Sequence, residues 1–224
     1  MRYVRAIMAV QTGGLMDGRL IDTADDLAEG AAWLCTREPR FAGAMALIGP
    51  LPLRRKPAGF ASLLDTVMAQ QVSVASADAI WRRLEGAGLT HAPAVAEASE
   101  EALRACGLSR QKIRYAQALA QAGIDFDRLS RMPDDEVIAA LVALPGIGRW
   151  TAEIYAMFSL GRADMFAAGD LALQEAARIL FDLPARPGEQ ALRAMAADWS
   201  PWRAVAARAL WSYYRHCKRR EGVT

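Results

Sequence analysis

From Asp22 to the C-terminus, apolar residues recur three and four positions apart, and the runs are cut at short intervals by proline or glycine. Such a pattern buries one stripe of a helix; a half-buried strand would alternate instead. Alanine and leucine recur throughout while β-branched runs are scarce, which also favours helices. Asp22 or Thr23 can cap a helix running to about Arg37. Pro39 restarts the chain, and Pro50, Pro52 and Pro57 make a rigid connector. Gly59 opens an apolar helix carrying Leu63, Leu64, Val67 and Met68. Ser73 caps the next, Val74 to Glu85, which Gly86 and Gly88 stop. Shorter helices are expected near 93–105, 109–121 and 134–142. One more runs from Trp150 to about Leu160, and others start at Asp170, near Gly188 and at Pro201, a good first-turn residue. Residues 1–21 read as weakly structured or strand-like, with a turn at Gly13-Gly14. The expected fold is all-α, a two-lobed helical bundle with at most a minimal N-terminal β element.

At 53% hydrophobic residues, a chain of 224 residues buries a real core. No stretch approaches the ~18 unbroken apolar residues of a membrane span, and Ala6 to Val10 is too short for a signal-peptide core. The expected setting is therefore the cytoplasm. Cys35, Cys106 and Cys217 lie far apart without CxxC spacing, which argues against zinc, iron–sulfur clusters and a disulfide framework. His91 and His216 have no ligand-like spacing. Net charge is only +2, but its distribution is uneven. Arg203, Arg208, Arg215, Lys218, Arg219 and Arg220 fall in a stretch without acids, while Asp22, Asp25, Asp26 and Glu29 cluster near the other end. That leaves either a local positive face or a solvated basic tail.

Leu144 to Thr151 is the most informative segment. Two glycines two apart, between two helices, make a tight hairpin. Gly146 and Gly148 lack a Cβ, so a DNA backbone could approach closely. Their amides, with the helix N-terminus beyond, would point at an anion, and the Thr151 hydroxyl could bond the same phosphate. Such contacts position a duplex without reading sequence. On spacing alone the segment is equally a plain helix-to-helix turn.

Leu144-Pro145-Gly146-Ile147-Gly148-Arg149-Trp150-Thr151-Ala152 resembles the helix-hairpin-helix signature of DNA base-excision glycosylases. That superfamily follows its hairpin with an aspartate, matched here within Asp164-Met165-Phe166-Ala167-Ala168-Gly169-Asp170. Gln70 to Ala75, Gly107 to Lys112 and Trp199 to Arg203 agree as well, in the family's order. Within the superfamily the chain is similar to the DNA-3-methyladenine glycosylase II group over roughly residues 58–215. The expected organisation is an N-terminal segment over 1–57 that replaces a larger β domain of longer relatives, a core over 58–215, and a basic tail over 216–224.

The resemblance implies a repair enzyme that flips a damaged base from duplex DNA and cuts its glycosidic bond. Asp170 is the expected catalytic carboxylate, in preference to Asp164. As a residue type at a helix start it is equally an N-cap, and the two roles are compatible. Gly146, Ile147, Gly148, Arg149 and Thr151 are the expected phosphate contacts. Gln71, where the relatives have leucine, is the expected wedge, and it could also simply cap its turn. Trp150, Trp202 and Tyr155 are expected to line the base pocket, although Trp150, Ile154, Met157 and Phe158 also form a core stripe. The relatives have tyrosine where Ile154 stands, so the pocket's shape is expected to differ. Trp199, Trp211, Tyr213 and Tyr214 are expected to be packing residues. Members that also nick the backbone carry a lysine where Trp150 stands, so the resemblance implies a monofunctional hydrolase without a cofactor. A monovalent cation could rest on the carbonyls of Leu141, Leu144 and Ile147. The expected partner is double-stranded DNA with a damaged base, bound by a monomer without a protein partner. Deaminated bases as substrates, and a non-catalytic DNA clamp, are the alternatives.

Overall fold

The computed structural model describes residues 18–221, with side chains through residue 219. Among these residues the chain is helical apart from turns and one isolated antiparallel bridge, Leu20 to Arg162. The Gly13-Gly14 turn lies outside the described residues, and no strand forms among those described. No helix among them is long and apolar enough to cross a membrane.

The helices begin largely where capping side chains stand. Helix α1, Ala24–Arg37, starts at Thr23, whose hydroxyl accepts from the Asp26 amide while Asp26 reaches back to the Thr23 amide. Helix α2, Arg40–Ile48, follows Pro39. Helix α3, Phe60–Met68, starts at Gly59, whose φ of 127° excludes most other residues. Ser73 caps α4, Val74–Gly86. Helices α5, Ala92–Glu97, and α6, Glu100–Ala105, are single short turns capped by His91 and Ser99. Ser109 caps α7, Arg110–Gln121. Helix α8, Phe126–Arg131, capped by Asp125, is too short and polar to leave a periodic signal. Then come α9, Asp134–Val142, and α10, Arg149–Phe158. Asp170 caps α11, Leu171–Leu180, and Gly188 precedes α12, Glu189–Ala196. A short 3-10 turn, Ala197–Trp199, separates α12 from the long last helix α13, Arg203–Glu221. Pro201 stands before α13, not in its first turn, and the stretch expected to be a tail from residue 216 continues that helix.

The chain divides into two compact units, and the division falls inside α10. One unit holds residues 56–155; the other joins residues 18–55 to 156–221. The stretch 58–215 is therefore shared between two units, and the N-terminal segment belongs with the C-terminal helices.

In the first unit, α7 packs against α3 and α5. Ile113, Ala116 and Leu119 of α7 are buried, as are Leu63, Leu64, Val67 and Met68 of α3. In the second unit, α13 is the centre and packs against α1, α2 and α11. Its stretch Ala204 to Leu210 is buried all round, which alanines at 204, 206, 207 and 209 permit by letting neighbouring backbones come close. Trp199 anchors the same unit against Phe41 at 5.3 Å and Phe181 at 5.7 Å. Buried Arg208, 1% exposed, donates to the carbonyls of Ala204, Leu53 and Met157 and lies over the Phe158 ring at 4.7 Å. Burial, and then the like charges of Arg54 and Arg55, push its guanidinium down to about 10.

Candidate functional site

The hairpin belongs to the first unit. Leu144 follows the end of α9, and the Ile147 amide donates to the Leu144 carbonyl at 3.2 Å, so Leu144 to Ile147 form one tight turn. Gly146 has φ 82°, and a Cβ there would run into the Tyr115 ring. Its glycine is thus required by the protein's own packing, which corrects the expectation that the missing Cβ makes room for DNA. Gly148 is different: it is exposed, and a Cβ there would meet nothing within 4 Å. Open space for an approaching backbone lies at Gly148. Arg149 is exposed, and its Nε donates to buried Glu153 at 2.9 Å.

Two expected contacts are corrected by burial. Thr151 is 2% exposed, and its hydroxyl oxygen accepts from Gln70 Nε2 at 2.8 Å. It is a strut inside the hairpin and offers no surface to a phosphate. Ile147 is 3% exposed, so its side chain is core and its amide is used within the turn. The expected cation ligands are the carbonyls of Leu141, Leu144 and Ile147. Those of Leu141 and Leu144 already accept from the Leu144 and Ile147 amides. The Leu144 carbonyl keeps a second lone pair for a monovalent cation, whereas that of Leu141 accepts from the Ala143 amide as well.

The turn after α3 is tied to the hairpin. Gln70 Nε2 donates to the Gly146 carbonyl at 2.9 Å as well as to Thr151. Lys112 Nζ donates to the Met68 carbonyl at the end of α3, and burial pushes its ammonium below the ordinary value. Next in the chain, Gln71 is exposed with φ 57°. Val72 and Val74 are 38% and 79% exposed beside it. The turn therefore holds a fixed, outward-facing tip with Gln71 on it. A cleft of about 250 Å³ beside it is lined by Gln70, Gln71, Ser109, Gln111, Lys112 and Tyr115. Its amides, hydroxyls and ammonium suit hydrogen bonds to polar edges.

Gly146→Ala should break this arrangement at its base. The positive φ and the Tyr115 ring both oppose a methyl group, at a cost of roughly 1–3 kcal/mol. A lowered Tm together with weakened duplex binding by the folded fraction is the expected result. Unchanged Tm and binding would show that the hairpin does not depend on this contact.

The carboxylate belongs to the second unit. Asp170 is partly exposed at the start of α11, and its Oδ1 accepts from the amides of Ala172 at 2.9 Å and Leu173 at 3.1 Å. Trp211 of α13 donates its Nε1–H to the same oxygen at 3.2 Å. The Trp211 ring packs on Phe158 at 5.7 Å. Asp164 is occupied differently: Arg203 grips both of its oxygens at 2.7 and 2.8 Å, and the Ser200 hydroxyl donates at 2.7 Å. It is a structural ion pair.

The aromatic residues are redistributed. Trp202 is 2% exposed, with Arg19 over its ring at 4.3 Å, and Gly30 so close that a Cβ there would sit 2.6 Å from the ring. Tyr155 is fully buried, its hydroxyl accepts from the Gly59 amide at 2.8 Å, and Phe126 lies 6.3 Å away. Both are packing residues, which corrects their expected place at a pocket wall. Trp150 is half-buried on α10. Trp211, expected to be packing, is the indole that touches the carboxylate. Trp202 stands just before α13, whereas Trp211 lies within it.

The profile described as HhH-GPD superfamily base excision DNA repair protein matches residues 64–201. DNA-3-methyladenine glycosylase 1 of Schizosaccharomyces pombe is 32% identical over 161 residues, 68% of this chain and 71% of the relative. A solved structure of the 3-methyladenine DNA glycosylase of that yeast in complex with abasic DNA matches with a TM-score of 0.74 and 28% identity, over 82% of this chain and 95% of that one. A DNA-3-methyladenine glycosidase structure from Bacillus halodurans matches with a TM-score of 0.72 and 31% identity, over 89% and 93%.

Proposed function

Because the chain belongs to the HhH-GPD superfamily of base excision DNA repair proteins, we propose that it removes alkylated purines of the 3-methyladenine type from double-stranded DNA by hydrolysis. The observation that carries this reading is Asp170, held by two helix amides and the Trp211 indole on one oxygen. Breaking the C1′–N bond sends its electron pair to the departing base and leaves oxocarbenium-like charge on the sugar. A fixed carboxylate facing that charge stabilises it by about 4 kcal/mol at ~4 Å and an effective dielectric near 20, on the order of 10³ in rate. Water then bonds to C1′, and its proton passes to Asp170 or to solvent. The products are the free base and an abasic site. An alkylated purine is already cationic and leaves readily, so one carboxylate suffices.

The exposed Gly148 edge of the hairpin takes a phosphate of the duplex, with Arg149 beside it. A monovalent cation on the carbonyls of Leu144 and Ile147 would add positive charge there. Gln71 fills the gap left by the flipped base, and its amide hydrogen-bonds the partner base. Trp150 offers an aromatic face to the electron-poor purine, and because it is not a lysine it forms no Schiff base with the sugar. A denaturing gel of end-labelled duplex carrying one 7-methylguanine tests this chemistry. The strand should stay full length after incubation and break only when an abasic-site endonuclease is then added at neutral pH. Breakage without the endonuclease contradicts monofunctional hydrolysis.

Trp211→Phe keeps the ring against Phe158 but removes the indole N–H. Its loss should slow single-turnover base release about 10-fold with Tm unchanged, the size expected for one hydrogen bond to a charged group. An unchanged rate would mean that the indole only packs.

A further inference from the structure

The connector before α3 presents Arg54 in an unusual way. Its φ is 50°, a left-handed conformation that a residue with a Cβ takes only at a cost. Both neighbours are fastened to the second unit. The Leu53 carbonyl accepts from Arg208 Nε and Nη2, each at 3.4 Å. Arg55 pairs with Asp22 at 2.7 Å and donates to the carbonyls of Phe158 and Ser159. Arg54 itself is exposed, and among the described residues no carboxylate pairs with it. A left-handed residue thus stands between two fastened neighbours with its cation exposed.

Other cations lie beside it. Arg208, Trp211, Arg215 and Arg219 fall within an arc of about 80° on α13 at ~100° per residue. Arg215 and Arg219 are exposed and, like Arg54, lack a carboxylate partner among the described residues; the Nη2 of Arg215 donates to Ser212 at 3.0 Å. Burial, and then the charges of Arg54 and Arg219, push the Arg215 guanidinium below its ordinary value. Arg54 and Arg219 thus both lie close enough to act on Arg215, and no carboxylate is among the groups that act on it. Arg203 and Arg55, by contrast, are neutralised by Asp164 and Asp22. Lys218 acts on Glu175 and is left out of the cluster. Arg215 stands one helical turn, ~6 Å, beyond Trp211, the partner of Asp170.

We propose that Arg54, Arg215 and Arg219 form a phosphate site that takes the backbone of the damaged strand next to the flipped nucleotide. The proposal rests on the base-excision reading for the identity of the strand, since Asp170 must meet its sugar. Guanidinium groups bond phosphate oxygens in pairs, and a like-charged cluster loses its internal repulsion when an anion fills it.

The test is fluorescence anisotropy of a labelled duplex with a stable tetrahydrofuran abasic analogue, between roughly 50 and 200 mM salt. Each phosphate contact contributes about 0.9 to the slope of log affinity against log salt. The Arg54→Gly, Arg215→Gln double variant should lower that slope by about 1 to 2 and bind about 10-fold more weakly at the lower salt. The Arg37→Ala, Arg104→Ala double variant, which removes two exposed arginines paired with Asp198 and Glu100, is the control for net charge. Arg54→Gly alone suits the left-handed backbone, so its Tm should not fall, and it serves if the double variant misfolds. A slope equal to the control's overturns the site, even if the native protein releases alkylated bases. A lowered slope in a protein that releases none keeps the site and removes the excision reading.

Discussion

Asp170→Asn is expected to leave the protein folded and bound to DNA while cutting single-turnover base release on the order of 10²–10³-fold. The separation comes from the two tasks of this side chain. As the cap of α11, its Oδ1 accepts from the amides of Ala172 and Leu173. Asparagine caps a helix about as well as aspartate, and its carbonyl oxygen can accept the same two amides and the Trp211 indole. Stability should therefore change by less than about 1 kcal/mol. The negative charge disappears, and with it most of the attraction to a developing oxocarbenium ion. A structural carboxylate would give the opposite pattern, with a fall in Tm and little change in rate per folded molecule. Thermal melting and single-turnover kinetics on one preparation distinguish the two.

Trp202→Ala is expected to cost about 3–5 kcal/mol of stability, a fall in Tm of roughly 10 °C. The ring is 2% exposed, covered by Arg19 on one side, with Gly30 and the neighbouring Val205 meeting at the same spot. Removing it leaves a cavity that helices α1 and α13 cannot close without moving. Gly30 cannot refill the space, since it has no side chain to offer. At a temperature where the variant is still folded, its rate of base release should stay near that of the native protein. A pocket residue would behave the other way: a small change in Tm and a large loss of rate on alkylated bases.

The contrast between Trp202 and Trp211 shows what the sequence could and could not reveal. Helix starts were legible because their caps are local: Thr23, Ser73, Ser109 and Asp170 each accept from amides two or three residues ahead. The hairpin was legible for the same reason, since a turn between two helices is written in Pro145, Gly146 and Gly148. The roles of the aromatic residues were not local. Trp202 stands one residue before the helix that carries Trp211, and only packing against Gly30 for the one and Asp170 for the other tells them apart. Periodicity alone gives no sign of which face meets the core when the stretch between them is alanine-rich and buried all round. Thr151 was misread likewise: its partner Gln70 is 81 residues away in sequence. The division of the chain inside α10 was hidden too, because it depends on which helices the N-terminal segment joins.

Incubation of the native protein with methylated duplex DNA, followed by mass spectrometry of the small molecules released, tests the central claim most directly. Free 3-methyladenine and 7-methylguanine, appearing in step with abasic sites in an unbroken strand, is the predicted result. Duplex binding with neither base released would contradict an alkylpurine glycosylase and would leave Asp170 as a helix cap alone.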